Sequence, residues 1–283
     1  MPHRKLSGEH KTMPPSCVAG AFDAVAAADR CRRYRLRILE VSQRVPALHI
    51  GGAFSCVEIV DCIYNSLMKP DDIFVMSKGH AAILQYVILE DRGVLSRDDL
   101  DAYCTRDGRL GVHPDRGTPG IVAATGSLGH GLGMAVGMAL AERASGVTVY
   151  VVLSDGELME GSTWEAILLA SSLGLSNLVA MVDYNNLQSL ERPSVTHPSL
   201  GMYRPLYRKF VEFAWEAWEV RGHDEQDIFK RVTNRFGHSP LMLVAHTTKG
   251  RGVRFMEDNP VWHYRSPNKT EYEEAVKLLE GIT

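Results

Sequence analysis

The sequence predicts an α/β protein, a parallel sheet with helices on both faces, and two observations predict it. Short apolar stretches, Ile73 to Met76, Val147 to Leu153, Leu178 to Val182 and Leu241 to Ala245, alternate with segments of helical period. Strand, helix, strand at this rhythm is the βαβ unit, whose crossovers cover both faces of a parallel sheet. The chain also has the bulk for a large core: 283 residues, 45% hydrophobic and 23% charged, with 25 glycines. No internal repeat, low-complexity linker or composition shift divides it.

Residues 1–25 read as an exposed tail and residues 26–283 as one domain. Met1 to Ser16 is basic and polar, and Asp23 breaks the Ala-rich stretch where a secretion leader would be apolar. Arg30 to Ser42 carries Tyr34, Ile38 and Val41 at helical spacing beside Arg32, Arg33, Arg35 and Arg37, a surface helix with a solvated basic face. Ser55-Cys56-Val57-Glu58 matches a capping box ahead of Ile59, Val60, Ile63 and Leu67. Ile73 to Met76 is a strand, His80 to Arg92 a helix closed by Gly93, and Ser96 caps a short helix before Leu100 and Tyr103.

Glycine and proline then dominate from Thr105 to Gly126, a loop of a length that in compact domains usually serves function. A small-residue helix to Ala144 leads into strand Val147 to Leu153 and a polar turn. A helix opened by Ser162-Thr163-Trp164-Glu165 precedes strand Leu178 to Val182. A helix after Tyr203, a strand near Val220, a helix from Glu225 and strand Leu241 to Ala245 continue the alternation, followed by a loop from Thr247 to Asn268 and a helix to Leu279.

Charge and cysteine content exclude several classes. Thirty-one Lys plus Arg against 34 Asp plus Glu leave a net charge of −3, too balanced for nucleic acid to be the expected partner. Five cysteines, with no Cys-x-x-Cys pair, indicate neither a disulfide framework nor a zinc cage and suit a reducing cytoplasm. The longest apolar candidate, Ile121 to Ala141, is interrupted by Thr125, Ser127 and His130, so no membrane span is expected.

Ligands of parallel sheets sit at the carboxyl ends of the strands, which directs attention to the turn after Leu153. It reads Ser154-Asp155-Gly156-Glu157-Leu158-Met159-Glu160-Gly161, and Asn185 follows Asp155 by 30 positions, after the next strand. Neighbouring strands would let Asp155 and Asn185 face one crevice. With a backbone carbonyl, placed at Leu187, they form an oxygen set for Mg²⁺ or Ca²⁺ that a diphosphate and water would complete.

This spacing resembles the diphosphate-binding motif of thiamine-diphosphate enzymes, with Ser154 in place of the first glycine. Asp155 to Gly161 followed by Trp164-Glu165-Ala166 resembles its transketolase version, and Ser77-Lys78-Gly79-His80 the upstream histidine loop. Gly111-Val112-His113-Pro114-Asp115, Ala124 to Gly131 and Asn259-Pro260-Val261-Trp262-His263 resemble further transketolase signatures, and His49-Ile50-Gly51-Gly52 a looser one. In family order they cover the chain from about residue 30 to 265.

The resemblance implies the thiamine-diphosphate-binding fold and a set of roles. His80 and His263 would touch the cofactor and the reacting centre, while His49 and His113 would hydrogen-bond sugar hydroxyls. Gly126, Ser127, Leu128, Gly156, Glu157 and Asn185 would line the cofactor, and Asp155, Asn185 and Leu187 the metal. Glu160 reads either as a first-turn acid on a helix dipole or, by family match, as part of a glutamate relay between subunits. Gly126, Gly129, Gly131 and Gly133 would let the backbone approach a ring or phosphate, although Gly133 and Gly137 serve equally for helix packing. His130 is expected to pack in this turn, and the other histidines to be structural or on the surface. The family pattern departs at Leu48, Ile50 and Tyr264, where glycine or proline is more usual.

Full-length transketolases continue with a pyrimidine-binding domain and a C-terminal domain. The chain therefore resembles the N-terminal subunit of a split transketolase, completed by a C-terminal subunit in an α2β2 heterotetramer and acting on sugars or sugar phosphates. Two other readings are the α subunit of a 2-oxoacid decarboxylating enzyme and a non-catalytic cofactor-binding scaffold.

Overall fold

The structure, a computed structural model, describes residues 22–188, 192 and 205–282. Helix α1, Ala24–Ser42, opens where the Asp23 carboxylate accepts the backbone N–H groups of Val25 and Ala26, so it starts inside the segment expected to be tail. Its arginines form the expected solvated basic face only in part: Arg32 and Arg33 are exposed beside Asp29, but Arg35 and Arg37, with Arg30, turn to acids of other helices. Arg30 grips both oxygens of Asp61 at 2.8 and 2.7 Å, Arg35 pairs with Glu58 at 2.7 Å, and Arg37 pairs with Glu90 and Asp101. The helix is pinned to its neighbours by charge as well as by Tyr34, Ile38 and Val41 in the core.

The Glu58 pair has a consequence for acid stability. Burial works against its charge, but the Arg35 guanidinium and His223, whose Nδ1 lies 2.9 Å away, outweigh it and hold the carboxyl at about 2. A carboxyl depressed on folding stabilises the protein above its ordinary value of 4.5 and loses that contribution as pH falls through about 2. Glu58→Gln is expected to cost on the order of 3 kcal/mol at neutral pH, with the gap to the parent closing towards pH 2. Urea midpoints of both proteins across pH check this, and a gap that stays constant refutes it.

Helices α2 (Ile50–Ser55) and α3 (Val57–Cys62) follow, then a π-helical turn, Ile63–Leu67. Ser55 is not the capping residue that its sequence context suggests. It ends α2 and is buried, and its hydroxyl is taken by the carboxylate of Asp183 from the sheet.

Strands β1 (Ile73–Met76), β2 (Val149–Ser154), β3 (Leu178–Tyr184), β4 (Glu216–Arg221) and β5 (Leu241–His246) form one parallel sheet in the order β1-β2-β3-β5-β4. One row across it, Val75, Val151, Ala180, Met242 and Ala217, faces a core closed by α6 (Gly131–Ala141), α7 (Gly161–Ser172) and α8 (Leu206–Glu212). The next row, Met76, Val152, Met181 and Leu243, faces a second core with α1 to α3, α4 (Ala82–Asp91), α9 (Glu225–Thr233) and α10 (Lys269–Glu280). Both faces are covered, as the rhythm of the sequence required. Ser96 does cap α5, Arg97–Asp101, in a capping box with Asp99. Both β2 and β3 run further than the apolar stretches, to Ser154 and Tyr184, so the sheet itself delivers Asp155 and Asn185.

Among the described residues no helix is long and apolar enough to cross a membrane. One group of metal-ligating types, Cys31, Asp61 and Glu225, is buried between α1, α3 and α9. Arg30 already neutralises Asp61 there, and the Cys31 thiol donates to Glu225 at 3.1 Å.

Candidate active site

Because all strands run the same way, the carboxyl ends of β1, β2, β3 and β5 open onto one edge, and the loops after them build the site. After β1 the chain turns sharply at Gly79, where a Cβ would lie 2.0 Å from the carbonyl oxygen of Thr125. Only glycine lets this turn press against the long loop. Lys78, fully buried, pairs with Asp183 near the end of β3 and donates to the Gly52 carbonyl at 2.8 Å. Burial alone would raise the Asp183 carboxyl, but Lys78 and the hydroxyls of Ser55 and Thr247 outweigh it and hold it below the ordinary range.

Asp155 follows β2 and is 2% exposed. Burial first, then the charge of Asp183, pushes its pKa up to about 6, although the Asn186 N–H donates to it at 2.5 Å. Asn185 Oδ1 accepts from the Leu187 N–H at 3.0 Å while its amide nitrogen donates to Asp183 at 3.1 Å. The Lys249 ammonium rests on the carbonyls of Leu187 (3.0 Å) and Gln188 (3.1 Å) and lies 2.9 Å from His263 Nδ1. Burial, then repulsion from Lys78, lowers Lys249 to about 8. The structure thus brings Asp155, after β2, next to the loop after β3 that holds Asn185 and Leu187, through the Asn186 N–H. A carboxylate burdened by burial and a carbonyl already drawing a positive charge are the donor chemistry that a hard divalent cation needs, so these residues fit the group the sequence implied.

Beside these loops the four singled-out histidines converge from four segments. The His49 ring lies 5.4 Å from His80, 6.0 Å from His113 and 5.2 Å from His263, centroid to centroid, and His80 lies 6.1 Å from His263. Burial, then the nearby positive groups, holds His49 down to about 3 and His263 to about 4, and lowers His80 well below its ordinary value. At neutral pH these three are uncharged imidazoles that can both donate and accept. The His49 Nδ1 is buried with no hydrogen-bond partner.

Other expected site residues fall less simply. Gly126 lies over His113, where a Cβ would stand 3.8 Å from the ring's own Cβ, with exposed Ser127 and half-buried Leu128 next to it. Gly156 opens the turn after Asp155. Glu157 corrects the sequence reading, because its carboxylate is fully buried and used internally by the Ser77 hydroxyl, the Gly129 N–H (3.0 Å) and the Ser154 N–H (3.2 Å). It ties the ends of β1 and β2 to the glycine turn, so neither its side chain nor the Gly129 N–H is free for a ligand. Glu160 is exposed at the start of α7, against Gly129 and outside the histidine cluster. Gly133 and Gly137 have nothing within 4 Å of where a Cβ would be, so they serve no tight packing among the described residues. His130 is exposed rather than packed, because it precedes α6 on the outer side. His223 bridges Glu58 and the Thr248 N–H, a structural role, and His246 and His238 are exposed, whereas His3, His10 and His197 lie outside the described residues.

Residues 34–271 match the family described as transketolase, thiamine diphosphate binding domain. The chain belongs to the transketolase family. It is 37% identical over 256 residues to an apulose-4-phosphate transketolase subunit from Phocaeicola vulgatus, covering 86% of this chain and 90% of that protein. It is 34% identical over 246 residues to the 6-deoxy-6-sulfo-D-fructose transketolase subunit SqwG of a Clostridium species, covering 82% of this chain and 88% of the other. The fold matches the transketolase structure from Campylobacter jejuni with a TM-score of 0.82 at 24% identity, over 92% of this chain and 43% of that one. The chain thus spans nearly the whole of the subunit relatives and under half of that transketolase. These matches do not favour the 2-oxoacid reading.

Sequence reasoning missed Lys249 and gave no role to Lys78 or Asp183, although all three sit at strand carboxyl ends. Applying the same positional rule to the last strand would have raised Lys249, in Thr247-Thr248-Lys249-Gly250.

Proposed function

We propose that this transketolase-type chain binds thiamine diphosphate through Mg²⁺ or Ca²⁺. Completed by a separate C-terminal subunit with a pyrimidine-binding domain, in an α2β2 assembly in the cytoplasm, it would move a two-carbon ketol unit from a ketose or ketose phosphate to an aldose. The observation that carries this is the convergence of four histidines beside the adjoining loops that hold Asp155, Asn185 and Leu187. The names of the subunit relatives support a partner chain.

Thiamine diphosphate, when bound, supplies the nucleophilic thiazolium carbon that takes up the ketol unit. Asp155, Asn185 and the Leu187 carbonyl would hold the cation, and Lys249 supplies positive charge beside it for the diphosphate. His80 and His263, uncharged and next to one another, can hold or pass a proton at a carbonyl oxygen, while His49 and His113 hydrogen-bond hydroxyls. An uncharged His49 ring suits a polyol better than a fixed cation would. Glu160, exposed near an open cleft of about 730 Å³ lined by Ser127, Gly129, Ser162 and Glu165, would take part in a relay across a subunit contact. Half-exposed Leu140, Leu168 and Leu169 on α6 and α7 support a contact there.

The test is an assay with a candidate partner chain against a panel of ketose phosphates. Ketol transfer supports the reading, pyruvate decarboxylation supports the 2-oxoacid alternative, and cofactor binding with neither reaction supports a scaffold. In the active pair, His80→Ala is expected to lower turnover with every donor. His113→Ala should chiefly reduce kcat/KM for the donor, by about 1–3 kcal/mol for a lost buried hydrogen bond. Identical kinetic profiles for the two variants would refute the division of roles.

A further inference from the structure

Tyr264 closes the outer side of the histidine cluster. Its ring centroid lies 4.5 Å from that of His49 at a tilt of 41°, nearer than any of the three histidine rings that His49 also meets. The ring is 50% exposed, so one side packs on His49 and the other faces outward. Nor is it a loosely held side chain. The turn before it, Pro260–His263, is capped by Asn259, and Trp262 is buried with its indole N–H donating to the Phe255 carbonyl at 3.1 Å. The residue after it, Arg265, lies over the Trp262 ring at 4.1 Å and pairs with Glu271 at 2.5 Å. His263 itself is held by Lys249. An aromatic ring is thus fixed from both sides along the chain and set at the rim of a polar, imidazole-lined site. Among the described residues its hydroxyl has no hydrogen-bond partner, so packing of the ring, not the polar tip, is what the position provides.

We propose that Tyr264 is a specificity-determining residue, a rigid aromatic wall that limits the carbon-chain length the site accepts and favours short aldoses over long ones. The inference rests on the proposed ketol transfer and deepens it. The imidazoles take hydroxyl groups, and the phenol ring, packed on His49, offers its apolar edge and outward face at the rim, where the C–H positions of the outer carbons would lie. A fixed ring takes up space that the outer carbons of a longer chain would need. Differences in pocket contacts of this size discriminate substrates by roughly 10- to 200-fold.

The experiment uses the reconstituted pair of subunits with one donor and two acceptors that share a terminal phosphate, D-glyceraldehyde 3-phosphate and D-ribose 5-phosphate. In Tyr264→Ala, the ratio of kcat/KM for the five-carbon over the three-carbon acceptor is expected to rise by about tenfold or more. Tyr264→Phe, which keeps the ring, should leave the ratio within about twofold of the parent's, on the scale of a contact that is retained. Calorimetric titration of thiamine diphosphate with Mg²⁺ confirms that both variants keep the cofactor site. An unchanged ratio in Tyr264→Ala, or an equal shift in Tyr264→Phe, overturns the wall. If the unsubstituted pair transfers no ketol unit to either acceptor, the functional reading fails and this inference with it, an outcome distinct from an active pair with an unchanged ratio.

Discussion

Thiamine diphosphate affinity in the presence of Mg²⁺, measured by calorimetry, is expected to fall by about 100-fold or more in Asp155→Ala, equivalent to about 3 kcal/mol. Asp155 is the carboxylate of the oxygen set, and a diphosphate approaching it meets like charge until a cation intervenes. Asn185→Ala should weaken binding comparably. Glu157→Gln should change it far less, because that side chain is spent on Ser77, Gly129 and Ser154 inside the fold. A control separates loss of the seat from loss of the fold. Asp155 carries its charge at a cost beside Asp183, so Asp155→Asn should raise the thermal midpoint of the cofactor-free chain while weakening cofactor binding. Binding that needs no metal, or that survives Asp155→Ala, would overturn the assignment.

Purified alone, the chain is expected to transfer no ketol units at enzymatic rates, and activity should appear on mixing with its partner subunit. The acids near the site are committed: Asp183 to Lys78, Glu157 to its three donors, Asp155 to the turn that would seat the metal. None of these three is left to act on the aminopyrimidine ring, and in the proposed reading the groups gathered here would address the diphosphate end and the substrate. Titrating a candidate partner into a fixed amount of this chain should give activity that saturates at one partner per chain. A homogeneous preparation active by itself refutes the prediction.

Much of this was legible in the sequence because the signals were local. Strands β1, β2, β3 and β5 are short, mainly apolar runs buried on both faces, whereas edge strand β4, Glu216–Arg221, alternates and is partly exposed; the chain between Asp155 and Asn185 is one βαβ crossing, so spacing alone put them at one edge. The four histidines were legible only through resemblance, since nothing in periodicity says that positions 49, 80, 113 and 263 meet. What could not be read was pairing at a distance. Arg35 and Arg37 look like part of a solvated face until Glu58 and Glu90 arrive from other helices. Ser55 looks like a cap until Asp183 takes its hydroxyl. Glu157 looks like a ligand until Ser77 and Gly129 close over it. In each case a polar group found a better partner far along the chain than its own neighbours could offer.

The scatter of the histidines along the chain also sets when the site can exist. At synthesis rates of about 5–20 residues per second, residue 263 is added roughly 10–40 s after residue 49. Asp155, Asn185 and the first three strands are made well before Lys249 and His263, so a nascent chain can hold the proposed metal seat while lacking both the ammonium beside it and the fourth imidazole. The contacts that finish the site close some of the longest loops in the molecule, and contacts distant in sequence form slowly. Cofactor is therefore a late ligand, one that locks a fold already built and cannot serve as its template.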